Sequence, residues 1–376
     1  MLNTDKESTD VAIYQDFDPA FSESIVKNVF WLINEVYFRI QFVGFDQVIE
    51  RNNPDAPVIL VSNHSGRALP WDAVSLMSGL LKKMDYDHTK VCKTLITPLL
   101  SKVGVMTPYF VPNFWKKCGG IDASFTNFET MMEYPFSNIL MYPEGVPGIG
   151  KGFNHKYQLQ KFSTSFIHMS LKYQTDIVPL ATVNAEYINP FMYNVPVINW
   201  VVRRLTGMPF LPMGVLTILL VIQPWFYYFA FPAKITFVKG NRIRPSDWTD
   251  KSYEELTRQE IEDLRDKVHR QMQEELDEAV RQFGKSPFQL LEFFKTAWAH
   301  RQYFPYFLPF GWGFLFSEFH LQWQKNKSVK IEYTWKTLFK LFWKRPIILA
   351  YFIPVFGWIP IIYWSKLGKH KPQSAT

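Results

Sequence analysis

Four short apolar runs most constrain how this chain can fold: VILVSN from Val58, NILMYP from Asn138, DIVPLATV from Asp176 and KITFVKG from Lys234. Runs this short and this apolar read as strands covered on both faces, because continuous hydrophobicity without alternation leaves no side for water. Stretches of helical length separate them. Strands alternating with helices predict an α/β architecture, a sheet layered with helices. Before the first strand, SESIVKNVFWLINEVYFRIQFVGF places Ile25, Val29, Leu32, Ile33, Val36 and Phe38 near one stripe. This predicts an amphipathic helix that either faces the core or lies on a membrane.

Downstream, Pro245 to Asp250 reads as a linker into a long helix, with Leu256, Ile261, Leu264, Val268, Met272, Leu276 and Val280 on one face and alternating charge elsewhere. The expected organisation is a tail and helix over 1–37, an α/β domain over 38–248, a charged helix over 249–285 and an extension over 286–376.

That extension is where composition matters. The chain is 17% aromatic with a net charge of +7, which suits a membrane interface and an anionic partner, either lipid or nucleic acid. KNKSVKIEYTWKTLFKLFWKR, from Lys325, carries seven Lys and Arg against one Glu, interleaved with Trp and Phe. PIILAYFIPVFGWIPIIYW then runs uncharged from Pro346 to Trp364. An apolar segment with basic flanks favours an anionic membrane surface and argues against nucleic acid; Pro354, Gly357 and Pro360 suit a re-entrant hairpin better than a span. GVLTILLVIQPWFYYFAF, over 214–231, is interrupted by prolines and reads as a membrane-dipping or tunnel-wall segment. Cys92 and Cys118 belong to no C-x-x-C pair and read as buried or inert thiols in a reducing compartment. The polar, acidic first residues resemble no secretory or transit signal, so the expected location is membrane-associated at the cytosolic face.

Two stretches carry candidate chemistry. GVPGIGKG, Gly145 to Gly152, matches the G-x4-G-K of a phosphate loop, but Gly152 stands where a Mg²⁺-binding hydroxyl is needed. VSNHSGRALPWDAV, from Val61, puts His64 directly after a strand and Asp72 eight residues later. A loop that brought the two together would give an imidazole general base with its tautomer fixed by a carboxylate. No G-x-S-x-G elbow, H-E-x-x-H or C-x-x-C pattern suggests a serine esterase or a metal site.

With Asn63-His64 and Asp72, then Tyr142-Pro143-Glu144-Gly145, then Ile177 to Leu180 closing on Glu186, the sequence resembles the glycerolipid (lysophospholipid) acyltransferase family. NHSG...LPWDA, YPEGVPGIGKGF and FPAKITFVKGNRI are most similar to its branch containing monoacylglycerol-type acyltransferases. The resemblance covers roughly Phe38 to Arg244. It implies a glycerolipid acyltransferase-type sheet with helical membrane-associated extensions, and an acyltransferase loop rather than a nucleotide loop after Glu144.

By the same resemblance, His64 is the general base and Asp72 its orienting partner, Glu144 and Gly145 position the acceptor, and Pro179 lies on the strand closing the site. Ser65 and Gly66 amides or Arg67 are candidates for the oxyanion, and Arg67 and Lys151 for phosphates of the donor or acceptor. No bound cofactor or metal is implied, with acyl-CoA or acyl carrier protein as co-substrate. Seven residues separate His64 from Asp72 where the family's best-known spacing has four, so their pairing depends on the fold of the intervening loop. Neither CGGIDASFTNF nor PEGVPG offers the arginine usual for phosphate-bearing acceptors. The expected activity is transfer of a fatty acyl group to a hydroxyl of a glycerolipid, a lysophospholipid or a mono- or diacylglycerol. The alternative is a catalytically inactive lipid-binding or scaffold protein of the same fold.

Overall fold

The computed structural model describes residues 12–65, 69–133, 136–206 and 210–367. Seven strands form one mixed sheet in the order β1-β7-β6-β2-β5-β3-β4. They are β1 Gln41–Val43, β2 Ile59–Ser62, β3 Cys92–Ile96, β4 Gly120–Asp122, β5 Asn138–Met141, β6 Ile177–Val183 and β7 Thr236–Lys239. All pairs are parallel except β6 with β7. The four apolar runs of the sequence are β2, β5, β6 and β7. In β2, β5 and β6 every residue is buried, as continuous apolar strands require.

Alternation along these strands feeds two separate cores. Leu60, Leu140, Val178 and Leu180 face one side of the sheet, and Ile59, Val61, Ile139, Met141, Ile177, Ala181 and Val183 face the other. On the first side pack helices α1 (Pro19–Ile25) and α2 (Trp71–Lys83). On the second lie α3 (Phe125–Glu133) and α4 (Ser165–Lys172). The chain leaves β2 through α2 on one face and β5 through α4 on the other. Their C-terminal ends therefore diverge into a crevice, the usual place for a site in a sheet of this kind.

Helix α5 (Val215–Ile222) follows, and then the long helix α6 (Arg258–Phe283). Thr257 caps α6 in a capping box with Glu260, and Ile261, Leu264, Val268, Met272 and Leu276 bury its apolar face in the second core. The C-terminal part contributes α7 (Pro309–Asn326), α8 (Trp335–Lys344) and α9 (Trp358–Leu367).

The N-terminal stripe resolves to the core-facing alternative: Phe21, Ile25, Val29, Leu32, Ile33 and Val36 are all fully buried. The helical run continues in π-helical turns to Tyr37, and β1 takes residues that the stripe assigned to helix. Its partner is α7, whose aromatics Trp312, Phe316 and Phe319 pack into the same core. Phe21 meets Phe319 at 5.3 Å and Phe30 meets Phe316 at 5.8 Å, edge to face. The segments expected over 1–37, 38–248 and 286–376 thus share one core, and 249–285 completes the other. Among the described residues no helix is long and apolar enough to cross a membrane. Residues 214–231 hold α5 and a 3-10 turn, and 346–364 hold a short helix, a turn and the first part of α9.

Candidate active site

His64 stands two residues beyond β2, and the bidentate amide of Asn63 fixes the strand end before it. Asn63 donates to the Thr182 carbonyl at 3.0 Å and accepts from the Thr182 amide at 2.7 Å. Further along the chain, Trp71 and Asp72 open α2. The seven intervening residues are spanned: His64 Nδ1 lies 2.6 Å from Asp72 Oδ2, and the Ser65 amide donates to the same oxygen at 2.8 Å. Asp72 is fully buried. Burial alone would raise its carboxyl, but the charge and hydrogen bond of His64 and the amides of Ser65 and Ala73 outweigh it and hold the group below the usual carboxylate range. An ionised Asp72 keeps the proton on Nδ1, leaving Nε2 as the basic nitrogen. Among the described residues Nε2 has no hydrogen-bond partner.

The turn after β5 supplies the other wall. Tyr142 stacks on the imidazole, ring centroids 4.2 Å apart and planes 28° off parallel. Among the described residues its hydroxyl is buried without a partner, and burial together with the nearby Asp72 charge holds it protonated. Glu144 ties the two loops: Oε1 accepts the His64 amide at 2.9 Å and Oε2 accepts the Gln160 amide at 2.7 Å. Gly145 takes φ +57°, a conformation costly for any side chain. A Cβ on Gly148 would lie 2.7 Å from that of Glu144, so the following turn, Val146–Gly150, can close over the carboxylate only without one.

Lys151 ends this turn, and it points inward. Its ammonium is buried 3.8 Å from Glu144 and 3.6 Å from Glu186. The near match to a phosphate loop therefore presents no lysine to a ligand, and the expected phosphate contact of Lys151 is replaced by an internal ion cluster. Burial raises the Glu186 carboxyl, with Lys151 pulling against it.

Other expected residues are distributed unevenly. His64, Glu144 and Gly145 line one cavity of about 710 Å³, and Asp72 sits behind His64. Pro179 does not line it: buried in β6 beside Val61, it accepts the Gly240 amide and serves the sheet. The Ser65 amide is spent on Asp72, so it is not free for an oxyanion. Gly66 and Arg67 lie outside the described residues. Cys92 and Cys118 are free thiols pushed up to about 12 by burial.

The cavity wall is largely apolar. It runs from His64 and Tyr142 past Val74, Met77 and Leu81 of α2 to Leu216 and Leu220 of α5 and to Phe226 and Phe229. Such a space suits a hydrocarbon chain. The sequence reading assigned no role to Tyr142 or Gln160, and none to Glu186 beyond its place in the third block. Only the Tyr-Pro-Glu-Gly run hinted at Tyr142, and nothing local hinted at the others.

Fold and site together define an α/β protein with a buried His–Asp pair opening on an apolar cavity. No known protein-family model matches the chain. Uncharacterized proteins of Mycobacterium bovis and Mycobacterium tuberculosis are 26% identical over 198 residues, 52% of this chain and 51% of theirs. One of Mycobacterium leprae is 26% identical over 198 residues, 49% of its length. The chain thus spans about half the length of the curated relatives it matches. Among solved structures, the 1-acyl-sn-glycerophosphate (LPA) acyltransferase PlsC from Thermotoga maritima is similar over 68% of this chain and 79% of its own, at 12% identity and a TM-score of 0.38.

Proposed function

We propose that the chain transfers an acyl group from a thioester to a lipid hydroxyl at a membrane surface. The observation that carries this reading is the 2.6 Å contact between His64 and a buried, ionised Asp72 at the wall of an apolar cavity. The ordered sequence blocks around it supply the reaction class.

In this reading His64 Nε2 takes the proton from the acceptor hydroxyl while its oxygen attacks the thioester carbonyl. The tetrahedral intermediate collapses with cleavage of the carbon–sulfur bond, and the thiolate leaves with the proton held by His64. An ester and a free thiol result, with no acyl-enzyme. Asp72 holds the imidazole and supports the imidazolium, and Tyr142 restrains the ring plane. Glu144 acts through His64, gripping its amide, rather than on the acceptor alone. The donor is acyl-CoA or acyl carrier protein, and the acceptor is a glycerolipid.

Transfer from labelled acyl-CoA, and in parallel from acyl carrier protein, to monoacylglycerol, diacylglycerol and lysophospholipids tests this. His64→Ala is expected to abolish the product with the fold intact, and Asp72→Asn to lower the rate about a hundredfold or more. Full activity of folded His64→Ala would sink the proposal.

A further inference from the structure

Helix α5 has two apolar faces in different surroundings. Leu216, Thr217 and Leu220 line the cavity that His64 also lines. On the outer side, Val215, Ile218 and Val221 are between 60% and 68% exposed. A helix apolar all round belongs between two apolar media, and here one of them is missing.

The segment lying beside α5 has the same outward character. The Val355 amide donates to the Ile222 carbonyl at 2.7 Å, the Trp358 indole to the Val221 carbonyl at 3.1 Å, and the Trp225 amide to the Tyr351 carbonyl at 3.0 Å. This folds 346–364 into a hairpin against α5, with Phe356, Ile359, Tyr363 and Trp364 exposed. Helix α8, which runs directly into it, buries Thr337, Leu338 and Leu341. Trp335, Phe339 and Trp343 point outward in one row, and Trp343 is 90% exposed. Lys336, Lys340 and Lys344, one residue further along, border that row and are also exposed. From Tyr333 to Trp364 there is no acidic residue.

We propose that α5, α8 and the 346–364 hairpin form one surface that docks on an anionic lipid bilayer. It would set the α5 wall of the cavity against the membrane, so that the acceptor passes into the cavity from lipid rather than from water. A row of Trp and Phe beside a row of Lys suits the acyl–headgroup boundary, with aromatics in the interface and ammonium groups on anionic headgroups. A protein partner fits less well, since lysine is depleted in protein interfaces. The docking half stands alone, whereas the entry half rests on the acyl-transfer reading.

The test pairs two double variants, Phe339→Glu with Trp343→Glu and Phe356→Glu with Ile359→Glu. All four residues are more than half exposed and none lines the cavity, so circular dichroism and thermal melting are expected to match the wild type. Co-sedimentation with phosphatidylcholine vesicles containing phosphatidylglycerol should fall about tenfold or more for each pair. It should also weaken for the wild type when phosphatidylglycerol is omitted. Transfer to a vesicle-embedded acceptor should fall in step, while transfer to a water-soluble short-chain acceptor stays at the wild-type rate. Vesicle binding that survives both pairs, or a wild type that binds no vesicle, overturns the docking surface. Lost binding with undiminished transfer from vesicles overturns the entry route. If no acceptor is acylated by the wild type but binding still depends on these residues, the surface stands and the catalytic reading falls.

Discussion

Lys151 holds two buried carboxylates, and those carboxylates hold three loop amides: His64 and Gln160 on Glu144, and Tyr157 on Glu186. One ammonium thus fixes the backbone on which the imidazole stands. Lys151→Met leaves two carboxylates facing each other without a counter-ion and is expected to cost roughly 3 kcal/mol. The sign with pH follows from Glu186, whose carboxyl burial already raises and which rises further without Lys151. A folded state that binds the extra proton loses stability as pH rises. Urea midpoints of Lys151→Met should therefore improve from about pH 8 to about pH 5, and adding Glu186→Gln should recover part of the loss at neutral pH. A midpoint flat across that range would show that the cluster is not coupled.

Lys93 offers a second titration. It lies buried in β3 with its ammonium 3.0 Å from the centre of the Phe17 ring, and burial lowers it from 10.5 to about 7. Between those values the unfolded chain binds more protons than the folded one, so stability rises with pH. Lys93→Met should remove that rise, measured by urea unfolding from about pH 7 to about pH 10.

At the scale of elements, the turn after β5 depends on what glycine lacks. Gly148→Val would drive a side chain into Glu144, whose Cβ and carboxylate lie 2.7 to 3.2 Å from the added Cβ. The expected result is a displaced Glu144, a released His64 amide and a rate reduced about tenfold or more, with far-UV circular dichroism unchanged. Unchanged acyl transfer in a folded Gly148→Val would show that Glu144 does not position His64. The capped helix α6 and the strands β2, β5 and β6 were legible from pattern, since each buries one apolar face or two. Strands β1 and β4, three residues each, carry too little pattern to read. Strand β3 is interrupted by Lys93, a residue that reads as surface until Phe17 and Phe136 are seen around it.

For the whole molecule, the N-terminal helical run from Phe21 to Phe38 and helix α7 are parts of one core. Trp312, Phe316 and Phe319 of α7 are fully buried against Tyr37, Phe38, Trp71, Phe30 and Phe21. Removal of 286–376 should therefore expose this face and yield aggregated or unfolded protein, checked by size-exclusion chromatography and near-UV circular dichroism. A soluble, cooperatively unfolding 1–285 fragment would show instead that the extension is separable.

The sequence by itself determined the α/β class, four of the seven strands, the long helix and the two residue types of the pair, a strand-end histidine and a downstream aspartate. All of these rest on local periodicity or on residue types at short range. The tertiary structure decided the rest. It turned Lys151 inward to two carboxylates, gave Pro179 to the sheet, spent the Ser65 amide on Asp72 and put Trp312, Phe316 and Phe319 of α7 in the core while leaving Trp335, Phe339 and Trp343 of α8 outside. Composition is nearly the same for a buried and an exposed aromatic helix, and a lysine in a glycine-rich turn looks alike facing water or a carboxylate. Only the packing of residues distant in sequence separates such cases, because burial and charge partnership are properties of the assembled fold.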